Sequence, residues 1–196
     1  MTTENLGRRE RKKAATRQAI ADAALTLFLE RGYDAVSIKD VADAADVSVT
    51  TVFKHFSGKE ALVFDLDQEM ETGFVEAVQT RPSDQSVVDA LHDHILALWR
   101  AFEGHSQRNQ FVALIDSTPV LRAYADRMWT RHTKTLGTAL AKELGQDAND
   151  PTCRAAARLI LDIPALTRDG ADSEAAIRAV FSLLRDGWSD GNRRFN

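Results

Sequence analysis

An all-α fold of about nine helices is the architecture predicted by this 196-residue sequence, and three observations carry the prediction. Only four prolines and ten glycines interrupt the chain, so long stretches run unbroken. Within them apolar residues recur at helical spacing, one face of a 3.6-residue repeat, and not at every second position as in a strand. The breaks carry helix-capping chemistry: a threonine or aspartate ahead of a proline, or a serine followed three positions later by an acid. A composition 44% hydrophobic and 28% charged belongs to a globular chain, and the length allows one domain or two small ones. No apolar run approaches the roughly 18 residues of a membrane span. The basic N-terminal stretch leads into an amphipathic segment instead of an apolar secretory core, so a cytoplasmic location is expected. A single cysteine, Cys153, excludes an internal disulfide and a thiolate zinc finger.

Taken in order, the first helix carries Ile20, Ala24, Leu27 and Phe28 on one face, with Gly32 placed as a left-handed cap. It extends back toward a basic arm. Residues 1–17 hold six cations (Arg8, Arg9, Arg11, Lys12, Lys13, Arg17) and two anions, so a chain of net charge −4 divides into an arm of +4 and a body of −8. Such an arm is either a solvated, frayed terminus or a contact for an anionic partner. Ser37-Ile-Lys-Asp40 and Ser57-Gly-Lys-Glu60 are capping boxes that mark two helix starts. Between them, a short helix from about Ile38 to Ala45 buries Ile38, Val41 and Ala42. A tight joint at Asp46 and Val47 follows, then a second short helix capped by Ser48 that turns Val52 and Phe56 inward. Val47–Phe53 alternates and is rich in β-branched residues, which alone would predict a strand, but its neighbours decide for helix. The spacing is that of a helix-turn-helix, with Val49, Thr50, Thr51, Phe53 and Lys54 left near the outer face. Beyond the break at Arg81-Pro-Ser-Asp84 comes a helix carrying Val88, Leu91, Ile95, Leu98, Trp99 and Phe102. Thr118-Pro119 and Asp150-Pro151 each place a cap ahead of proline at the first helical position, and Asp172-Ser-Glu174 opens the last helix. Pro164 is expected to kink or end its helix.

At this point the sequence resembles the TetR-type transcriptional regulators. The run TRQAIADAALTLFLERGYDAVSIKDVADAADVSVTTVFKHFSGKEALVFDL is similar to that family's DNA-binding domain over about residues 10 to 66. The resemblance implies that Ser37, Ser48, Thr50, Thr51, Phe53, Lys54, His55 and Lys59 face DNA, with Lys59 and the N-terminus of the fourth helix meeting phosphate. Val49 joins this set from the outer face. Two positions depart from the family pattern: its usual turn glycine is Asp46 here, and its frequent tyrosine is Phe53, which has no hydroxyl for a phosphate. The chemistry agrees with the resemblance, because helix N-termini at Ser48 and Ser57 offer free N–H groups and positive dipole ends to phosphate. Threonine methyls can touch thymine methyls, and Lys54 can donate to guanine. The alternative is a helix-turn-helix that serves only as a packing unit or protein contact.

Residues 1–58 are thus expected to form the arm and DNA-binding domain, and residues 59–196 a ligand-binding and dimerisation domain. Family architecture implies an antiparallel helical bundle around a cavity, with the last two long helices pairing across a two-fold axis. Cavity candidates are Trp99, Phe102, Phe111, Leu114, Tyr124, Met128, Trp129 and His132, with ordinary core the alternative for each. Dimerisation candidates are Ala156, Leu159, Ile163, Ile177, Phe181, Leu184 and Trp188, where the alternative is monomer core. An interface is favoured because helix-turn-helix readers generally need two half-sites. The stretch DSTPVLRAYADRMW is similar to members thought to accommodate acyl-CoA-like ligands. Residues 98–134 hold six cations against three anions, which suits an anionic amphiphile as effector, although Arg127, Arg131 and Lys134 would equally form a solvated helix face. No H-E-x-x-H, G-x-S-x-G or glycine-rich phosphate loop occurs, so no metal, cofactor or catalysis is expected. The expected function is a homodimeric repressor, released from a palindromic operator by a small molecule. An effector-free DNA-binding scaffold and a small helical enzyme are the alternatives.

Overall fold

The computed structural model describes residues 7–167 and 172–186. Among these there are nine α-helices and no strand: α1 (Arg8–Arg31), α2 (Ile38–Ala44), α3 (Val49–His55), α4 (Asp67–Gln79), α5 (Val87–Glu103), α6 (Arg108–Ser117), α7 (Pro119–Glu143), α8 (Pro151–Thr167) and α9 (Ser173–Asp186). A 3-10 turn, Glu60–Leu62, stands between α3 and α4. The β-branched segment is helical from Val49 onward, because flanking caps and inward Val52 outweigh intrinsic strand preference.

The described chain divides into two compact units, one running to Asp67 and including Asn109–Ala125, the other comprising Gln68–Arg108 and the described residues from Asp126 on. The first unit therefore reaches past the expected boundary at residue 58. Its reason is apolar: Leu62, Val63 and Phe64 are buried, and the Phe64 ring stacks on Tyr124 at 5.1 Å. Ile20, Ala24, Phe28, Val41, Val52 and Phe56 complete this core. Gly32 closes α1 with φ +81 and its N–H on the Phe28 carbonyl; positive φ is as expected, while ψ 154 is extended and not left-handed helical.

In the second unit, α5 and α9 lie antiparallel, pinned at both ends by ion pairs. Asp89, early in α5, accepts from Arg185 at the end of α9 (2.6 Å), and Arg100, late in α5, meets Glu174 at the start of α9 (2.6 Å). Two caps hold as read, Cys153 N donating to Asp150 Oδ1 and Ala175 N to Asp172 Oδ1, and α5 is capped by Ser86, whose Oγ accepts from Asp89 N and which the sequence reading did not single out. α7 and α8 approach closely at Gly137, where an added Cβ would lie 3.1 Å from the Arg154 Cα. Pro164 does not end α8, which continues past it to Thr167. The core gathers Phe74, Leu91, Ile95, Trp99, Leu136, Ile160 and Phe181 from α4, α5, α7, α8 and α9.

Candidate nucleic-acid interface

The interface begins with two caps and a turn. Ser37 Oγ accepts from Asp40 N (3.1 Å), while the Asp40 carboxylate accepts from Ser37 N (2.8 Å) and Oγ (2.6 Å), a reciprocal capping box that starts α2. Hydrogen bonding to Ser37 keeps the Asp40 carboxyl below its ordinary pKa. At the other end of α2, Val47 N reaches back to the Ala42 carbonyl (3.0 Å) and Asp46 takes φ +52. This is a Schellman-type stop with aspartate in the position glycine usually fills. The turn delivers Ser48 as the next cap: its Oγ accepts from Thr51 N (3.1 Å) and pairs with Thr51 Oγ1 (2.8 Å).

α3 is thereby sorted into two faces. Val52 is buried, and Phe56, just past the helix, is buried beside it. Val49, Thr50, Phe53 and Lys54 are exposed, at i, i+1, i+4 and i+5, so they form one outward stripe; Phe53 is 55% exposed. Ser48 also lies at the exposed N-terminus, where backbone N–H groups and the helix dipole favour phosphate.

Five of the expected DNA contacts are already engaged locally or partly buried. Ser37, Ser48 and Thr51 spend their hydroxyls on the caps just described. His55 is half-buried, and burial, with Arg17, Lys13 and Lys54 nearby, lowers its pKa. Lys59 is the clearest correction. Its ammonium donates to the Tyr33 carbonyl (2.6 Å) and sits 4.0 Å from the Tyr33 ring centre and 5.7 Å from that of Phe28. Burial lowers its pKa against the pull of Asp34 and Glu60, and the same pocket pushes the Tyr33 phenol up, by burial first and then by Glu60 and Asp34. Ser57-Gly-Lys-Glu60 opens only the 3-10 turn, with Lys59 at its N-cap and no side-chain cap, so no fourth-helix N-terminus is presented there.

One contributor has a role that the sequence pattern did not reveal. Arg17, read only as an arm cation, donates to the His55 carbonyl (2.7 Å) and the Asp65 carbonyl (2.5 Å) and stacks 4.4 Å over Phe56, tying α1 to the end of α3. The other arm cations, Arg8, Arg9, Arg11, Lys12 and Lys13, are exposed and already helical in α1.

The remaining candidates fall in both units. Phe111, Leu114 and Tyr124 belong to the first unit, whereas Trp99, Phe102, Met128, Trp129 and His132 belong to the second, so the eight cavity candidates do not line a site within one unit. Trp99 is built into the apolar core, and Trp129 meets His132 edge-on at 5.3 Å. Of the dimerisation set, Ile163, Ile177 and Phe181 are buried in the monomer core and unavailable to a partner copy: the α9 stripe of Ile177 and Phe181 packs among α5 and α8, and Ile163 on α8 joins the same core. Ala156 is half-buried, Leu159 and Leu184 are exposed, and Trp188 lies outside the described residues. Leu166 (77% exposed) and Leu183 extend the exposed apolar set beyond the expected one. His92 and His94 diverge, one edge-on to Phe181 and the other to Phe74.

Residues 20–66 match the model of the family described as bacterial regulatory proteins, tetR family. The HTH-type transcriptional regulator TcmR of Streptomyces glaucescens is 28% identical over 156 residues, 76% of this chain and 69% of that protein. Among solved structures, NalD, the secondary repressor of the MexAB-OprM multidrug efflux pump in Pseudomonas aeruginosa, superposes with TM-score 0.58 at 19% identity, covering 90% of this chain and 97% of its own. A SmeT–triclosan complex gives TM-score 0.59 at 19% identity, with 90% and 93% covered. At these identities the two structures speak for the fold, and the matched helix-turn-helix speaks for the activity. Over residues 20–66 the chain matches the DNA-binding domain of the tetR family, and over 156 residues it is similar to an HTH-type transcriptional regulator.

Proposed function

We propose that this regulator is a homodimeric repressor whose two α3 helices read a palindromic operator and which a small molecule releases. The observation that carries the reading is the outward stripe Val49, Thr50, Phe53 and Lys54 on a helix whose opposite side, Val52, is fixed in its own core. Ser48 and the arm cations add phosphate contacts beside it. DNA reading falls to residues 1–58, and dimerisation and effector binding to 59–196, within which 59–67 and 109–125 brace the first unit.

Pairing is supported by Leu159 and Leu166 on α8 and Leu183 and Leu184 on α9, apolar side chains left exposed on two helices that pack on each other. Repression and release by a small molecule are supported by the printed descriptions of NalD as a repressor and of SmeT in complex with triclosan. An anionic amphiphile suits the cationic 98–134 segment. Release requires an effector that prefers a conformer whose recognition helices no longer match the half-site separation, since equal affinity for both conformers shifts nothing.

The test is selection of bound sequences from a random duplex pool by the full chain. Enrichment of a two-fold-symmetric site, lost with Lys54→Ala and Phe53→Ala, is the expected result. Enrichment of no sequence, or of a lone half-site, would overturn the operator reading.

A further inference from the structure

Along their solvent-facing sides, α7 and α8 enclose a groove of about 730 Å³, lined entirely by residues of the second unit. It is cationic from both walls. Arg127, Arg131 and Lys134 come from α7, at i, i+4 and i+7, and Arg154 and Arg158 come from α8, at i and i+4. No carboxylate lines it. Its width at the floor is set where Gly137 lets the α7 backbone approach Arg154, so the charge sits over a close helix crossing and not on a flat surface.

Arg131 Nε is 3.6 Å from Glu71, and Arg158 Nε is 2.7 Å from Asp162. Lys134 and Arg154 make no ion pair among the described residues. On a chain of net charge −4, a concave site with this excess is a local inversion of the field and draws anions. The volume falls in the range of roughly 300–1,000 Å³ typical of small-molecule sites. Guanidinium groups from two helices suit phosphate oxygens, which they grip bidentately, while lysine adds a point charge. The side chains that point to the other faces of α7, such as Leu136 and Leu140, form the apolar core, so this groove is separate from any interior cavity.

We propose that the α7–α8 groove binds a phosphorylated small molecule of about nucleotide size, held by Lys134 and Arg154 with Arg127, Arg131 and Arg158 around them. The site goes beyond repression and release, and stands whether or not the chain is a ligand-released repressor.

Calorimetric titration of the full chain with inorganic pyrophosphate, adenosine triphosphate and adenosine tests it, alongside operator binding by the same preparations. Saturable binding of one pyrophosphate or one nucleotide per chain is expected, with no heat from adenosine. Lys134→Glu combined with Arg154→Glu should weaken both phosphate probes by about tenfold or more, and the charge-neutral Ala155→Trp, which fills the groove, should weaken the nucleotide. Operator affinity without phosphate should be unchanged in these variants. If the double glutamate variant unfolds, Lys134→Gln with Arg154→Gln and Ala155→Trp carry the same comparison. Undiminished phosphate binding in folded variants, or failure of the wild type to bind either phosphate probe, overturns the site. Loss of operator affinity in the folded double variant would assign these cations to DNA and overturn it as well.

Discussion

Lys54 and Lys59 stand five positions apart with the same charge and opposite duties. Lys54 is exposed on the outward stripe of α3, whereas Lys59 is folded over Tyr33 and hydrogen-bonded to its carbonyl. Lys54→Ala should leave the thermal midpoint in place and reduce operator affinity by about 1–3 kcal/mol if it reads a base, measured by mobility shift and by melting. Lys59→Ala should do the reverse first: with the charged hydrogen bond lost, unfolding free energy falls by roughly 1.5–3 kcal/mol, read from denaturant titration. An unchanged midpoint in Lys59→Ala would sink the anchoring role. Nothing in the sequence separates these lysines, because what decides between them is where the Tyr33 backbone lies. Arg17 was illegible for the same reason: its partners are backbone carbonyls 38 and 48 positions away.

Short elements were the most legible, since their chemistry is local. Ser37, Ser48, Asp150 and Asp172 cap within three residues of themselves, and Asp46 occupies the left-handed position that the joint demands. Asp46→Gly should raise, and Asp46→Val lower, stability by about 1 kcal/mol each, because a left-handed residue with a Cβ carries a steric cost that β-branching increases; denaturant midpoints of the two variants decide it. The false capping box at Ser57 shows where local chemistry yields, since buried Leu62, Val63 and Phe64 pull the following turn into the first unit's core. The α5–α9 pairs set a pH signature. Hydrogen bonds from Arg100 and Arg178, and their charges, hold Glu174 at about 2 from an ordinary 4.5. A folded pKa below the unfolded one means stability present above about 4.5 and lost as pH falls toward 2. Glu174→Gln should therefore melt below the wild type at neutral pH and converge on it near the acid limit; parallel melting curves across that window would contradict the coupling.

For the whole molecule, periodicity located the amphipathic stripes but could not say which side of each stripe faced its own core. Ile163, Ile177 and Phe181 went inward, while Leu159, Leu166, Leu183 and Leu184 were left outside. A charge at the second group should leave the monomer fold intact, and one at the first should destroy it. Leu159→Asp with Leu184→Asp should sediment as a folded monomer that no longer holds a two-fold operator, whereas Phe181→Asp should fail to fold, because it strands a charge in a fully buried site. A dimer that survives the double aspartate change would place the pairing surface elsewhere. Finally, the cations from Arg8 to Lys13 already belong to the regular helix α1, which gives them a rigid span at about 1.5 Å per residue. An arm that arrives ordered loses no further backbone entropy on meeting DNA, so its contribution should appear in the salt dependence and leave the heat-capacity change of association nearly untouched, unlike an arm that folds on contact.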